Sequence, residues 1–73
     1  MEMLFNKKIY PQKALKGTAA AFGQLAEFKI DAEGDYFKVC VTKLLDTEVE
    51  GSLMDEFANY ALYTTVAEMK QWQ

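Results

Sequence analysis

The sequence predicts a small α+β domain, ordered β-α-β-β-α, in which a three-stranded, mainly antiparallel sheet carries both helices on one face. Three observations lead there. EFKIDAEGDYFKVCVTKL contains two alternating runs on either side of Glu33-Gly34, the pattern of a β-hairpin. Pro11 precedes a stretch with apolar residues three and four apart, the spacing of one helical face. A second such stretch runs on from Leu53.

The first element is read as a strand over Leu4–Tyr10, LFNKKIY, with Phe5 and Ile9 sharing a face. Pro11 then stands where a helix begins: its fixed φ suits the first turn, where its missing N–H costs nothing. Leu15, Thr18 or Ala19, Phe22 and Leu25 or Ala26 form the apolar side. Gly17 inside a helix costs about 1 kcal/mol relative to alanine. The small residues Ala14, Gly17 or Thr18, and Ala21 form a ridge on which another helix can pack closely. A phosphate-binding loop needs its glycines ahead of the helix, whereas Lys16-Gly17-Thr18 runs in the wrong order.

In the hairpin, Phe28 and Ile30 alternate with Lys29 and Asp31. Phe37, Val39 and Val41 share one face of the next strand, and Tyr36, Lys38, Cys40 and Thr42 share the other. The acidic connection LDTEVEG follows, and Ser52 with Asp55 is placed to cap the last helix. That helix carries a stripe of Met54, Phe57, Ala58, Ala61, Leu62, Thr65, Met69 and Trp72. At about twenty residues it is ~30 Å long, against ~17–20 Å for strands of ordinary length. It is therefore expected to project beyond the sheet. The first strand is expected beside the third and antiparallel to it, with the order placing it beside the second as the alternative.

The chain has 73 residues and is 51% hydrophobic and 14% aromatic, so a single domain spanning 1–73 is expected. Domains of this size are marginal without a disulfide, metal or partner. Cys40 is the only cysteine, which suits a reducing compartment and leaves association as the supplement. MEMLFNKKIYPQK shows no signal-peptide pattern, and no apolar run approaches the ~20 residues of a membrane span. A cytoplasmic protein without a membrane role is expected.

All eight cations are lysines, and histidine is absent. Without arginine the chain lacks the usual bidentate reader of phosphate and guanine, which speaks against nucleic acid. Without histidine, imidazole triads are excluded, and one cysteine is too few for a zinc site. Asp31, Glu33 and Asp35 have the opening spacing of an EF-hand loop, but Tyr36 replaces its glycine and Thr42 its bidentate glutamate. They read as an acidic hairpin tip. Neither a catalytic residue nor a cofactor or metal ligand set emerges, so a non-enzymatic role is expected.

Cys40 reads as a half-buried structural thiol, since no neighbour in sequence would lower its pKa. Lys7 and Lys8 read as solvated charges that discourage strand-on-strand association. Tyr60 and Tyr63 lie off the main stripe of the last helix, either as half-buried packing residues or as anchors of a contact surface, where tyrosine and tryptophan are enriched. Trp72, with Met69 one turn before it, is expected on the overhanging end and in need of a partner's cover. Tyr60, Tyr63, Met69 and Trp72 are therefore the candidate partner-binding residues.

Tyr10-Pro11 followed by Ala14-Leu15 and a small-residue helix, then a short hairpin, then Phe57, Asn59 and Leu62 at the start of a helix, resemble the HxsD-like proteins. These are small components of His-Xaa-Ser peptide systems, and the similarity runs from about residue 9 to 68. The resemblance implies an accessory protein that works beside radical-SAM maturation enzymes on a peptide, and no catalytic residue carries over. A non-enzymatic adaptor for a protein or peptide is thus the leading expectation. The alternative is a homodimeric structural protein whose last helices pair across a two-fold axis.

Overall fold

The computed structural model describes residues 1–69. The elements are β1 (Glu2–Asn6), α1 (Gln12–Ala21), β2 (Ala26–Glu33), β3 (Tyr36–Leu44), a 3₁₀ turn (Thr47–Val49) and α2 (Leu53–Met69). The sheet order is β1-β3-β2, and both neighbours run antiparallel to β3. This is the expected α+β class with the expected strand order. Leu15 from α1 and Phe57 and Ala61 from α2 join one buried cluster with Phe5 and Val39. Both helices therefore cover the same sheet face.

The hairpin forms where alternation places it. Glu33 pairs with Tyr36 across the two-residue turn Gly34-Asp35, and Gly34 has φ +57° while no non-glycine residue among the described residues has positive φ. A positive φ at the first central residue alone is the type II′ pattern, which matches the right-handed twist of the flanking strands. On the inner face the register aligns Met3 with Val39 and Phe5 with Phe37, and Ile30 with Val39. On the outer face Lys38 lies 3.6 Å from Glu2 and 3.4 Å from Glu33. These two carboxylates, Glu2 first, raise the Lys38 pKa above its ordinary value.

The first strand is displaced from its expected bounds. It starts at Glu2 and ends at Asn6 rather than running from Leu4 to Tyr10. The Asn6 Oδ1 accepts from the Lys8 N–H at 2.8 Å, and its carbonyl accepts from Ile9 and Tyr10. Such side-chain and backbone bonding offers the chain a turn in place of the ladder. Ile9 is consequently exposed and does not share the Phe5 face.

Helix α1 begins after Pro11, whose extended conformation makes it the N-cap. The helix stops at Ala21, before the apolar period expected through Leu25 or Ala26 runs out. A Cβ on Gly23 would lie 3.2 Å from the Ala20 carbonyl oxygen, so glycine permits the tight exit. Ala26 is buried, but as the first residue of β2.

The small-residue ridge is only half used. Ala14 and Thr18 are buried, whereas Gly17 and Ala21 face solvent. A Cβ on Gly17 would meet nothing within 4 Å, and its φ is not positive. Gly17→Ala is therefore expected to stabilise the fold by about 0.5–1 kcal/mol through helix propensity and a smaller unfolded-state entropy. A shift of the urea midpoint to higher concentration at constant m checks this; a downward shift contradicts it.

Helix α2 buries Leu53, Phe57, Ala61 and Thr65, one residue in every four. Met54 and Ala58 are half-buried, and Leu62, expected in the stripe, is 46% exposed. The start of the helix also departs from expectation. Ser52 donates its hydroxyl back to the Val49 carbonyl at 3.5 Å, while its own carbonyl accepts from the Glu56 N–H. The capping box with Asp55 does not form. The Thr18 and Thr65 hydroxyls each donate to the carbonyl four residues back, at 2.8 Å. This satisfies two polar groups that burial would otherwise leave costly.

The expected overhang rested on short strands, and β2 and β3 have eight and nine residues. At ~3.3 Å per residue β3 is ~30 Å long, against ~25 Å for seventeen helical residues. Among the described residues α2 does not outreach the sheet by length. No helix of the described residues is long and apolar enough to cross a membrane.

Candidate interaction surface

From Phe57 to Ala67 the chain carries no charged residue. One side of this stretch is spent on the core, so its remaining sides are uncharged and face solvent. Tyr60 is 41% exposed, Leu62 46%, Tyr63 72% and Val66 42%. An apolar stripe of about 100° is enough for a helix on the surface of a domain; α2 has apolar or aromatic side chains well beyond that arc.

The two tyrosines are held differently. The Tyr60 ring packs edge-on to Phe22, with centroids 5.6 Å apart at 75°. Tyr63 leans against Tyr60 at 6.4 Å and otherwise projects outward. Tyr60 thus combines the two roles left open by the sequence, part packing residue and part surface, and Tyr63 belongs to the surface. The pair presents two aromatic bodies with polar tips, braced through Phe22 onto Phe57, 5.7 Å away.

Leu62 and Val66 extend the surface one turn apart along the helix. Periodicity assigns Leu62 to the core and does not single out Val66; the uncharged run marks the whole stretch without saying which of its sides is exposed. Met69 is the last described residue of α2, and Trp72 lies outside the described residues. Near the far end of the helix, Lys13 of α1 reaches Glu68 at 3.1 Å. Lys13 is so exposed that this pair contributes little to stability.

The other features singled out in the sequence are spread over the sheet. Cys40 is half-buried on the outer face of β3, where its thiol donates to the Glu2 carboxylate at 3.6 Å. Asp31 lies 3.8 Å from Lys29 and Glu33 lies 3.4 Å from Lys38, so two of the three acids at the tip have lysine partners. Lys7 lies beyond the end of β1, with its ammonium 5.3 Å from the centre of the Phe37 ring. Among the described residues there is no pocket and no group of three potential metal ligands; the candidate site is a surface. No family model matches the chain, nor does any curated protein or solved structure.

Proposed function

We propose that this chain is a non-enzymatic accessory protein that binds a protein or peptide partner through the outer face of α2. The HxsD-like resemblance supplies the setting, peptide maturation by a radical-SAM enzyme, and the lone cysteine suits the cytoplasm. The observation that carries the reading is the uncharged face with Tyr60, Leu62, Tyr63 and Val66 at its surface. Exposed apolar surface of this kind marks interaction sites, and rigid aromatic side chains commonly anchor them.

The test is affinity capture from the native host with the wild type and with Leu62→Lys combined with Tyr63→Lys. The wild type is expected to retain a radical-SAM enzyme or its substrate peptide, and the double variant to lose at least tenfold of it. Unchanged thermal unfolding of the variant would show that the loss lies at the surface. Equal capture by both proteins would overturn the assignment of the face, and retention of neither class of partner would overturn the setting.

A further inference from the structure

We propose that the outer edge of β1 pairs with β1 of a second copy of this chain, antiparallel, joining two three-stranded sheets into one sheet of six strands. This surface is distinct from the α2 face, and the proposal does not depend on that reading.

The register shows which backbone groups are free. In an antiparallel pair, hydrogen-bonded and non-hydrogen-bonded residue pairs alternate. The Val41 N–H donates to the Met1 carbonyl and the Lys7 N–H to the Asp35 carbonyl, both at 2.9 Å. Met1, Met3, Phe5 and Lys7 therefore turn their backbone groups toward β3. Glu2, Leu4 and Asn6 turn theirs away, toward an edge where no strand of the described residues pairs. The Asn6 carbonyl is taken by Ile9 and Tyr10. Both groups of Glu2 and Leu4, and the Asn6 N–H, remain for an added strand.

The two edges of the sheet are not alike. β2 carries Glu27, Lys29, Asp31 and Glu33 and has a bulge between Glu27 and Phe28. Charges and bulges are the usual protection of an edge strand. β1 is in regular register and holds one charge, Glu2, whose carboxylate already faces Lys38 and Cys40. The two lysines expected to guard it stand beyond its end, at positions 7 and 8. Its central outward side chain is Leu4, 58% exposed.

Charge selects the occupant and its direction. β1 begins with an acid and is followed by Lys7-Lys8. An antiparallel copy centred on Leu4 sets each Glu2 opposite Asn6 of the other copy, near the turn that carries Lys8, Lys7 being engaged over Phe37 on the inner face. A parallel copy would set Glu2 against Glu2. In the antiparallel arrangement the free N–H and carbonyl of Leu4 meet those of the other Leu4, and the Asn6 N–H meets the Glu2 carbonyl. Met3, half-buried in one chain, comes opposite Phe5 of the other and extends the inner apolar layer.

Sedimentation equilibrium over a micromolar to millimolar range tests the proposal, using the wild type, Leu4→Pro and Leu4→Lys. Proline at position 4 removes a donor that β3 does not use and is tolerated on an edge strand. Lysine at position 4 brings like charges face to face across the interface. The wild-type weight-average mass is expected to rise from 8.3 kDa toward twice that value, with the Leu4 amide exchanging at least tenfold more slowly at high concentration. Both variants are expected to stay monomeric. If the proline variant fails to unfold cooperatively, the lysine variant decides. A wild type that stays monomeric throughout overturns the proposal. So does a rise in mass that the folded variants share, since the interface would then lie elsewhere, as on α2.

Discussion

Phe57→Ala is expected to leave the chain largely unfolded. Phe57 is fully buried, and its ring centre lies 5.9 Å from that of Phe5 on β1, 5.7 Å from Phe22 after α1 and 4.9 Å from Phe28 on β2. One side chain thus ties α2 to both edge strands and to the end of the other helix. Truncating a buried phenylalanine costs about 3–5 kcal/mol, in lost transfer energy and in the cavity left behind. A chain of this size has a total stability of about 4–11 kcal/mol at ordinary values per residue, and a domain this small falls toward the low end. The loss is comparable with everything that holds the fold. Far-UV circular dichroism against temperature should show a cooperative transition for the wild type and none, or one tens of degrees lower, for the variant. Tyr63→Ala, on the same helix and 72% exposed, should change stability by no more than about 0.5 kcal/mol. Equal losses at the two positions would contradict the packing described.

The contrast between these aromatic residues shows what the sequence could reveal. Phe57, Ala61 and Thr65 were legible as core because their spacing is helical and the sheet opposite them alternates. The hairpin was legible because its turn and pairing are local: Gly34 supplies the positive φ, and Glu33 and Tyr36 pair across it. Leu62 was misplaced because α2 is uncharged from Phe57 to Ala67, and a helix apolar on nearly all sides gives the period no face to select. Residues 7 to 10 were read as strand because Phe5 and Ile9 fit an alternation, which the bonds made by Asn6 interrupt. The length argument for an overhanging helix failed on strand length, which varies too widely for a typical value to stand in for eight and nine residues. The candidate surface therefore rests on Tyr60 and Tyr63, which the sequence offered, and on Leu62 and Val66, which burial revealed. Its expected outer part, at Trp72, lies outside the described residues.

Ala61→Leu is expected to destabilise the fold by about 1–3 kcal/mol although it adds apolar volume. Ala61 is fully buried and belongs to one cluster with Leu15 of α1 and Phe57 of its own helix. The two helices pack against each other, with Cα atoms of facing residues within 8 Å. Small side chains permit this: Ala14 and Thr18 on α1, and Ala61 and Thr65 on α2, are all buried. Both threonine hydroxyls are satisfied within their own helices, so neither needs a partner across the gap. Three added carbons must force the helices apart or drive Leu15 and Phe57 from their rotamers, and overpacking of a well-packed core costs this much. Gly17→Ala, on the outer side of α1, adds volume where there is room. Opposite shifts of the urea midpoint for these two additions are expected: upward at Gly17, where the added carbon meets nothing, and downward at Ala61, where the surroundings are already filled. If Ala61→Leu proved neutral or stabilising, the helices would not be held at this distance by their small residues. The ridge would then be a consequence of composition rather than the feature that sets the spacing of the helical layer.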